Sequence, residues 1–150
     1  MAKFKFRLAT LRKMREATRD QRRAHLAEAY RADEILQQQS DRIEHELSDL
    51  REACRRASGP GPVDVDRLTQ ARLHELVLKT QKEHLGRQRE AVAAEIDVRR
   101  EALVHANREV RVLEKLEARQ AARHRQRESR LAIKELDEVA GRRAAREDAS

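Results

Sequence analysis

The chain has 150 residues, of which 41% are charged and 2% aromatic, with no Trp, one Tyr and two Phe. That is enough length for one domain, but too little bulky apolar material for an ordinary globular core. The formal net charge of +7 favours acidic partners in general, whether nucleic acid, anionic lipid or an acidic protein surface. The single cysteine, Cys54, excludes an internal disulfide. Residues Met1–Phe6 are basic but lead into no apolar run, so they do not read as a secretory signal. No window is long and apolar enough to suggest a membrane span.

The first expected element is a helix over about residues 6–57. Phe4, Leu8 and Leu11 fall at i, i+4 and i+7, on one helical face. Farther along, Leu36, Ile43, Leu47, Leu50, Cys54 and Ala57 follow heptad spacing, as a coiled-coil seam does. Between these two stretches the expected inward positions are Thr18, Arg22, His25, Ala29 and Ala32, which bury little area and predict a looser middle. This helix opens with a dense run of Lys and Arg, from Lys3 to Arg31, against few acids.

Ser58-Gly59-Pro60-Gly61-Pro62 interrupts the helical pattern. Two prolines this close stop a helix by removing N–H donors and crowding their predecessors, and glycine suits a tight reversal. The tip loop is expected at 58–63, followed by a second helix over about 64–145. Asp64 is its expected N-cap, and Asp66 suits the positive end of the helix dipole. The seam of this helix reads Leu68, Ala71, Leu78, Leu85, Val92, Ile96, Leu103, Ala106, Val110 and Leu113, with long polar side chains at Glu75, Lys82, Arg89 and Arg99 filling its gaps. The expected fold is therefore all-α, an antiparallel two-helix coiled-coil hairpin forming one domain.

The second helix is the longer. Folding back from the loop should bring Phe4 near Leu116–Ala118 and leave everything after about Arg119 overhanging. That overhang begins basic and ends in a short apolar patch of Leu131, Ile133, Leu136 and Val139, which lacks a partner within the chain. A second apolar stripe, Leu73, Val77, Thr80 and His84 with Leu76 beside it, is expected on the face turned away from helix one, as a binding surface.

No glycine-rich phosphate loop, no i, i+4 histidine pair and no second cysteine are present. A two-helix hairpin is also expected to offer no concave pocket, and its solvated carboxylates have nothing to desolvate them. Neither an enzymatic activity nor a metal or other cofactor is expected. A basic nucleic-acid-binding coiled coil, suggested by the basic first third, is the lesser alternative, and nucleic acid is not an expected partner. The arginines are spread around the helix, no aromatic platform exists for single strands, and an antiparallel hairpin does not fork across a major groove.

The opening Phe4-x-Phe6-x-Leu8-x-x-Leu11-x-x-x-Arg15, the basic first helix and the late run of Lys134, Leu136, Asp137, Glu138 and Ala140 together resemble the FliJ family of flagellar type III export proteins, over essentially the whole chain. The equivalent stalk of a virulence type III secretion system is a close alternative. The resemblance implies a non-enzymatic antiparallel coiled coil, similar to the γ-subunit stalk of rotary ATPases. It implies that the end carrying both termini binds the hexameric flagellar export ATPase, through Phe4, Phe6, Arg7, Leu8, Leu11, Arg12, Arg15, Arg123, Arg127, Leu131, Leu136 and Asp137. The implied export-gate contact is Leu73, Val77, Thr80 and His84, which would meet the cytoplasmic domain of the gate membrane protein. An alignment through the late acidic run would instead place that contact on His74, Leu78, Gln81 and Leu85, consuming two seam leucines. Export chaperones are the third implied partner. The implied location is cytoplasmic, at the flagellar base, peripheral to the membrane through these partners.

Overall fold

A computed structural model describes residues 4–147, and side chains through residue 143. It is all-helical: α1 runs Ala9–Ala57, α2 runs Val65–Glu147, and the two pack against each other as a helical hairpin. The described residues contain no strand. By contacts the chain divides into two compact units, one of residues 21–103, which includes the loop, and one of residues 1–20 with 104–150.

The loop follows from its chemistry. At the end of α1 the Ser58 N–H and hydroxyl both donate to the Cys54 carbonyl, at 3.1 and 2.9 Å. Arg55 and Arg56 sit in the last turn, at the negative end of the dipole. Gly61, held between two prolines, adopts φ +158°, a backbone conformation that L side chains rarely take. At the start of α2 the Asp64 carboxylate accepts from the Arg67 N–H at 3.2 Å, and the Asp64 carbonyl accepts from Leu68 N–H at 3.2 Å. Asp64 therefore satisfies a donor that the first turn would otherwise leave open.

In the unit of residues 21–103 the core is a single narrow seam. Ala29 and Leu47 of α1 and Leu78, Leu85 and Ile96 of α2 are buried. Leu26, Leu36, Ile43, Leu50 and Cys54 are half-buried along α1, as are Leu68, Ala71 and Val92 along α2. The middle of α1 departs from expectation. Arg22 and His25 are exposed, and Leu26 lies half-buried instead. The reason is register: positions 26, 29, 33, 36, 40, 43, 47, 50 and 54 alternate steps of three and four, a continuous seam that leaves 22 and 25 outside it.

The seam gaps become cross-links. Arg89 Nε donates to Asp33 at 3.0 Å, Lys82 Nζ pairs with Glu44 at 2.6 Å, and Arg99 reaches the His25 carbonyl at 2.5 Å. Arg100 donates to the Tyr30 hydroxyl at 2.8 Å. As residue numbers rise along α1 they fall along α2, which makes the packing antiparallel. Glu75 occupies a seam gap and gathers Arg72 and Lys79, each at 2.9 Å. These two hydrogen bonds hold its carboxyl below the usual carboxylate range, and the Lys79 bond is the larger cause.

In the unit of residues 1–20 and 104–150, Phe6, Ala106, Val110 and Leu113 are buried, and Val110 is the most enclosed side chain. The helical stretch starts at Ala9, three residues later than expected, because Phe6 turns inward and its carbonyl caps the Ala9 N–H at 3.3 Å. Arg12 donates to Glu117, and Arg15 Nη1 donates to Glu109 at 3.0 Å. Phe4 does not lie beside Leu116–Ala118 but packs at a tilt against His124, with ring centroids 5.7 Å apart. Arg12 already takes the level of Glu117, and eight further residues precede it. For the same reason the overhang starts later than Arg119. Gln120, Ala121, His124 and Glu128 are half-buried, and full exposure begins at Ser129.

Leu78 is 3% exposed whereas Leu73, five residues earlier on the same helix, is 61% exposed. Leu78→Ala should lower unfolding free energy by about 2–4 kcal/mol and Leu73→Ala by less than about 0.5 kcal/mol. Urea unfolding followed by far-ultraviolet circular dichroism measures both. Equal losses would contradict this seam. Glu75→Gln should destabilise at neutral pH. Because the folded carboxyl titrates below its unfolded value, the gap from wild type should persist above about pH 4.3 and close as pH falls through the lowered native value.

Candidate functional site

Two surfaces gather the residues singled out by the sequence, one in each unit. On α2 just after the loop, Leu73, Val77, Thr80 and His84 are all exposed, with Leu76 exposed beside them. The register that would use Leu78 and Leu85 meets two buried side chains, at 3% and 9% exposure.

The stripe does not point away from α1, as expected, but lies beside it. Val77, Thr80 and His84 form one wall of an open groove of about 790 Å³. Leu85 lies at its base, and α1 supplies the opposite wall through Gln39, Arg42, Ile43 and Glu46. Helix geometry explains the difference. Val77 and His84 each precede a buried seam leucine by one residue, and one residue is a rotation of about 100°. They therefore stand on the flank of the seam, not on its far side. Leu73 lies outside the groove, in a smaller depression of about 380 Å³ with Thr69, Arg72, Leu76 and Lys79. The Thr80 hydroxyl is occupied internally, donating to the Leu76 carbonyl at 3.0 Å. This stripe thus offers chiefly shape, apolar area and one imidazole.

The α1 wall was not among the residues chosen from sequence. By its spacing Ile43 reads only as seam. The usable signal was the antiparallel pairing, since Lys82 meeting Glu44 places residues 39–46 opposite 76–87.

The second surface lies at the end that carries both terminal segments. Arg7, Leu8 and Leu11 are exposed beside the start of α1, as are Arg123, Arg127, Leu131, Leu136 and Asp137 on α2. Four of the expected contact residues are engaged within the chain. Phe6 is 5% exposed and belongs to the core. Phe4 is half-buried against His124. Arg12 is half-buried, paired with Glu117 and 3.3 Å from Glu16. Arg15 is more exposed but holds Glu109 at 3.0 Å. By contrast Arg7, Arg123 and Arg127 form no ion pair among the described residues. These three remain available to an outside anion.

Nothing in either surface resembles a reaction centre. Among the described residues no group of three or more His, Cys, Asp or Glu side chains could hold a metal. Among the same residues no helix is long and apolar enough to cross a membrane. What both surfaces offer is apolar area edged with charge, on a scaffold of two helices.

The family model for the Flagellar FliJ protein matches residues 4–149. The chain belongs to the FliJ family. It is accordingly a component of flagellar type III export, in a family of non-enzymatic proteins. No curated protein and no solved structure gave a significant match.

Proposed function

We propose that this chain is a stalk-like coupling component of flagellar export. Its terminal end docks with the hexameric export ATPase. Its α2 stripe meets the cytoplasmic domain of the export-gate membrane protein. It also escorts export chaperones, and it associates with the membrane only through these partners.

The ATPase reading is carried by one observation: Arg7, Arg123 and Arg127, which form no ion pair among the described residues, lie in the unit that also exposes Leu131 and Leu136. Guanidinium groups without an internal partner lose no existing bond when they meet carboxylates on another protein. The uncovered leucines add apolar area that the chain itself does not bury. The gate reading is supported by an apolar stripe left exposed while the leucines next to it are buried. Family membership supports both readings by placing the chain in the export apparatus.

The docking surface is therefore narrower than the whole basic first third of α1. Arg12 and Arg15 hold α1 against α2, so reversing their charge would disturb the fold as well as any contact. The discriminating variant is Arg7→Glu/Arg123→Glu/Arg127→Glu. At low salt the wild-type protein should bind the cognate flagellar ATPase and stimulate its hydrolysis. The triple variant should bind about 10- to 100-fold more weakly, as three modest surface pairs imply, with unchanged thermal unfolding. Full stimulation by the triple variant, or no complex with wild type, would overturn this assignment.

A further inference from the structure

The groove beside the α2 stripe has a second wall, and its rim carries charges that no internal partner engages among the described residues. Several nearby charged groups are satisfied within the hairpin: Lys82 by Glu44, Arg89 by Asp33, and Glu75 by Arg72 and Lys79. Glu83 and Glu90 also form no ion pair among the described residues, but they do not line the groove. Arg42, Glu46 and Arg87 line the groove and form no ion pair among the described residues. Arg42 and Glu46 stand four apart on α1, a spacing that allows a pair, yet none forms between them. The groove's apolar lining comes from Ile43 and Val77 in the walls and Leu85 at the base. From Leu76 to Arg87 the α2 wall spans eleven steps, about 16 Å, or about three helical turns.

We propose that this groove, with both of its walls, is the docking site for an acidic amphipathic helix, and that the cytoplasmic domain of the export gate supplies that helix. The proposal rests on the reading of the α2 stripe as the gate contact, and it adds a partner chemistry and an α1 half to the site. A three-turn helix presenting apolar residues at i, i+3, i+4 and i+7 fits a groove of this length. Carboxylates flanking that stripe would meet Arg42 on one rim and Arg87 on the other, each able to engage a carboxylate with two parallel N–H donors. Two unpaired cations against one unpaired carboxylate set the preference for an acidic partner. Glu46 favours a single cation on the partner and so fixes its direction in the groove.

A second copy of this chain fits less well. Its own unpartnered segment, residues 131–143, carries three basic residues (Lys134, Arg142 and Arg143) and three acidic ones (Glu135, Asp137 and Glu138), so it has no net charge to offer.

The test uses the full chain and the purified cytoplasmic domain of the cognate gate protein, titrated by calorimetry at low and high salt. Arg42→Glu/Arg87→Glu should weaken binding about tenfold at low salt, with the difference shrinking as salt rises. Arg42→Gln/Arg87→Gln should act in the same direction by a smaller factor, and it guards against an effect of reversal on folding. Arg31→Glu/Arg108→Glu makes the same change in net charge at exposed residues outside the groove, and it should stay within about twofold of wild type. Leu73→Ala/Val77→Ala tests the underlying gate reading. Loss of binding in that variant alone, with both Arg42/Arg87 variants matching the control, would overturn the proposal and leave the gate reading standing. Wild-type affinity in all variants would overturn both. A change confined to self-association of the protein, seen by sedimentation, would assign the groove to a second copy and overturn the proposal.

Discussion

Everything here depends on how little a pair of helices can bury. A helix in a globular core is covered on several sides, whereas a helix with one partner has a single stripe to hide. In the unit of residues 21–103 that stripe is narrow enough that only Ala29, Leu47, Leu78, Leu85 and Ile96 are buried. Each fully buried aliphatic side chain contributes about 1.5–3 kcal/mol, so each carries a large share of the unit's stability. The surface consequence is as strong. One step of about 100° separates a buried leucine from an exposed side chain, and Val77 and Leu78 are such neighbours.

Where the seam lacks an apolar residue, charge and hydrogen bonding take over. Arg89, Lys82 and Arg99 stand at α2 positions where a coiled coil would carry an aliphatic side chain, and they reach Asp33, Glu44 and the His25 carbonyl on α1. Exposed pairs of this kind add little stability, about 0–1 kcal/mol each. Their larger effect is on alignment. Each cross-link is satisfied only when one residue of α1 faces one residue of α2, so a slide of one heptad would separate several at once. Arg12 with Glu117 and Arg15 with Glu109 act in the same way within the unit of residues 1–20 and 104–150. A weakly apolar interface is thereby given a defined register.

Much of this was legible in the residues. The proline-glycine cluster after Ser58 marks the turn, Asp64 marks the cap, and steps of three and four mark the α2 seam, because each depends only on local chemistry or on period. What escaped was relational. Period alone gave Leu73, Val77, Thr80 and His84 as an apolar stripe, but whether it stands opposite the partner helix or beside it depends on where the seam's centre falls. The α1 wall was invisible for the same reason, since Gln39, Arg42 and Glu46 are ordinary polar residues until α2 lies next to them. Phe6 was misjudged because a terminal aromatic has no periodic neighbours to show that it turns inward. The split among Arg7, Arg12 and Arg15 likewise needed the position of Glu109 and Glu117 across the interface.

That split changes what a basic run means. The first third of α1 looks uniform as sequence, a cationic face for any acidic partner. In the folded chain its arginines divide into Arg12 and Arg15, which hold α2, Arg19, which holds its neighbour Asp20, and arginines that pair with nothing among the described residues. The first group contributes to the scaffold, and the partner would have to outcompete an existing carboxylate to use it. The last group is available at no such cost. The same division operates at the groove, where Lys82 is engaged by Glu44 while Arg42 and Arg87 are not. In a protein this densely charged, the number of cations says little about where it binds. Which cations lack an internal partner is the more discriminating property, and it follows from the register that the sparse apolar seam and its cross-links set together.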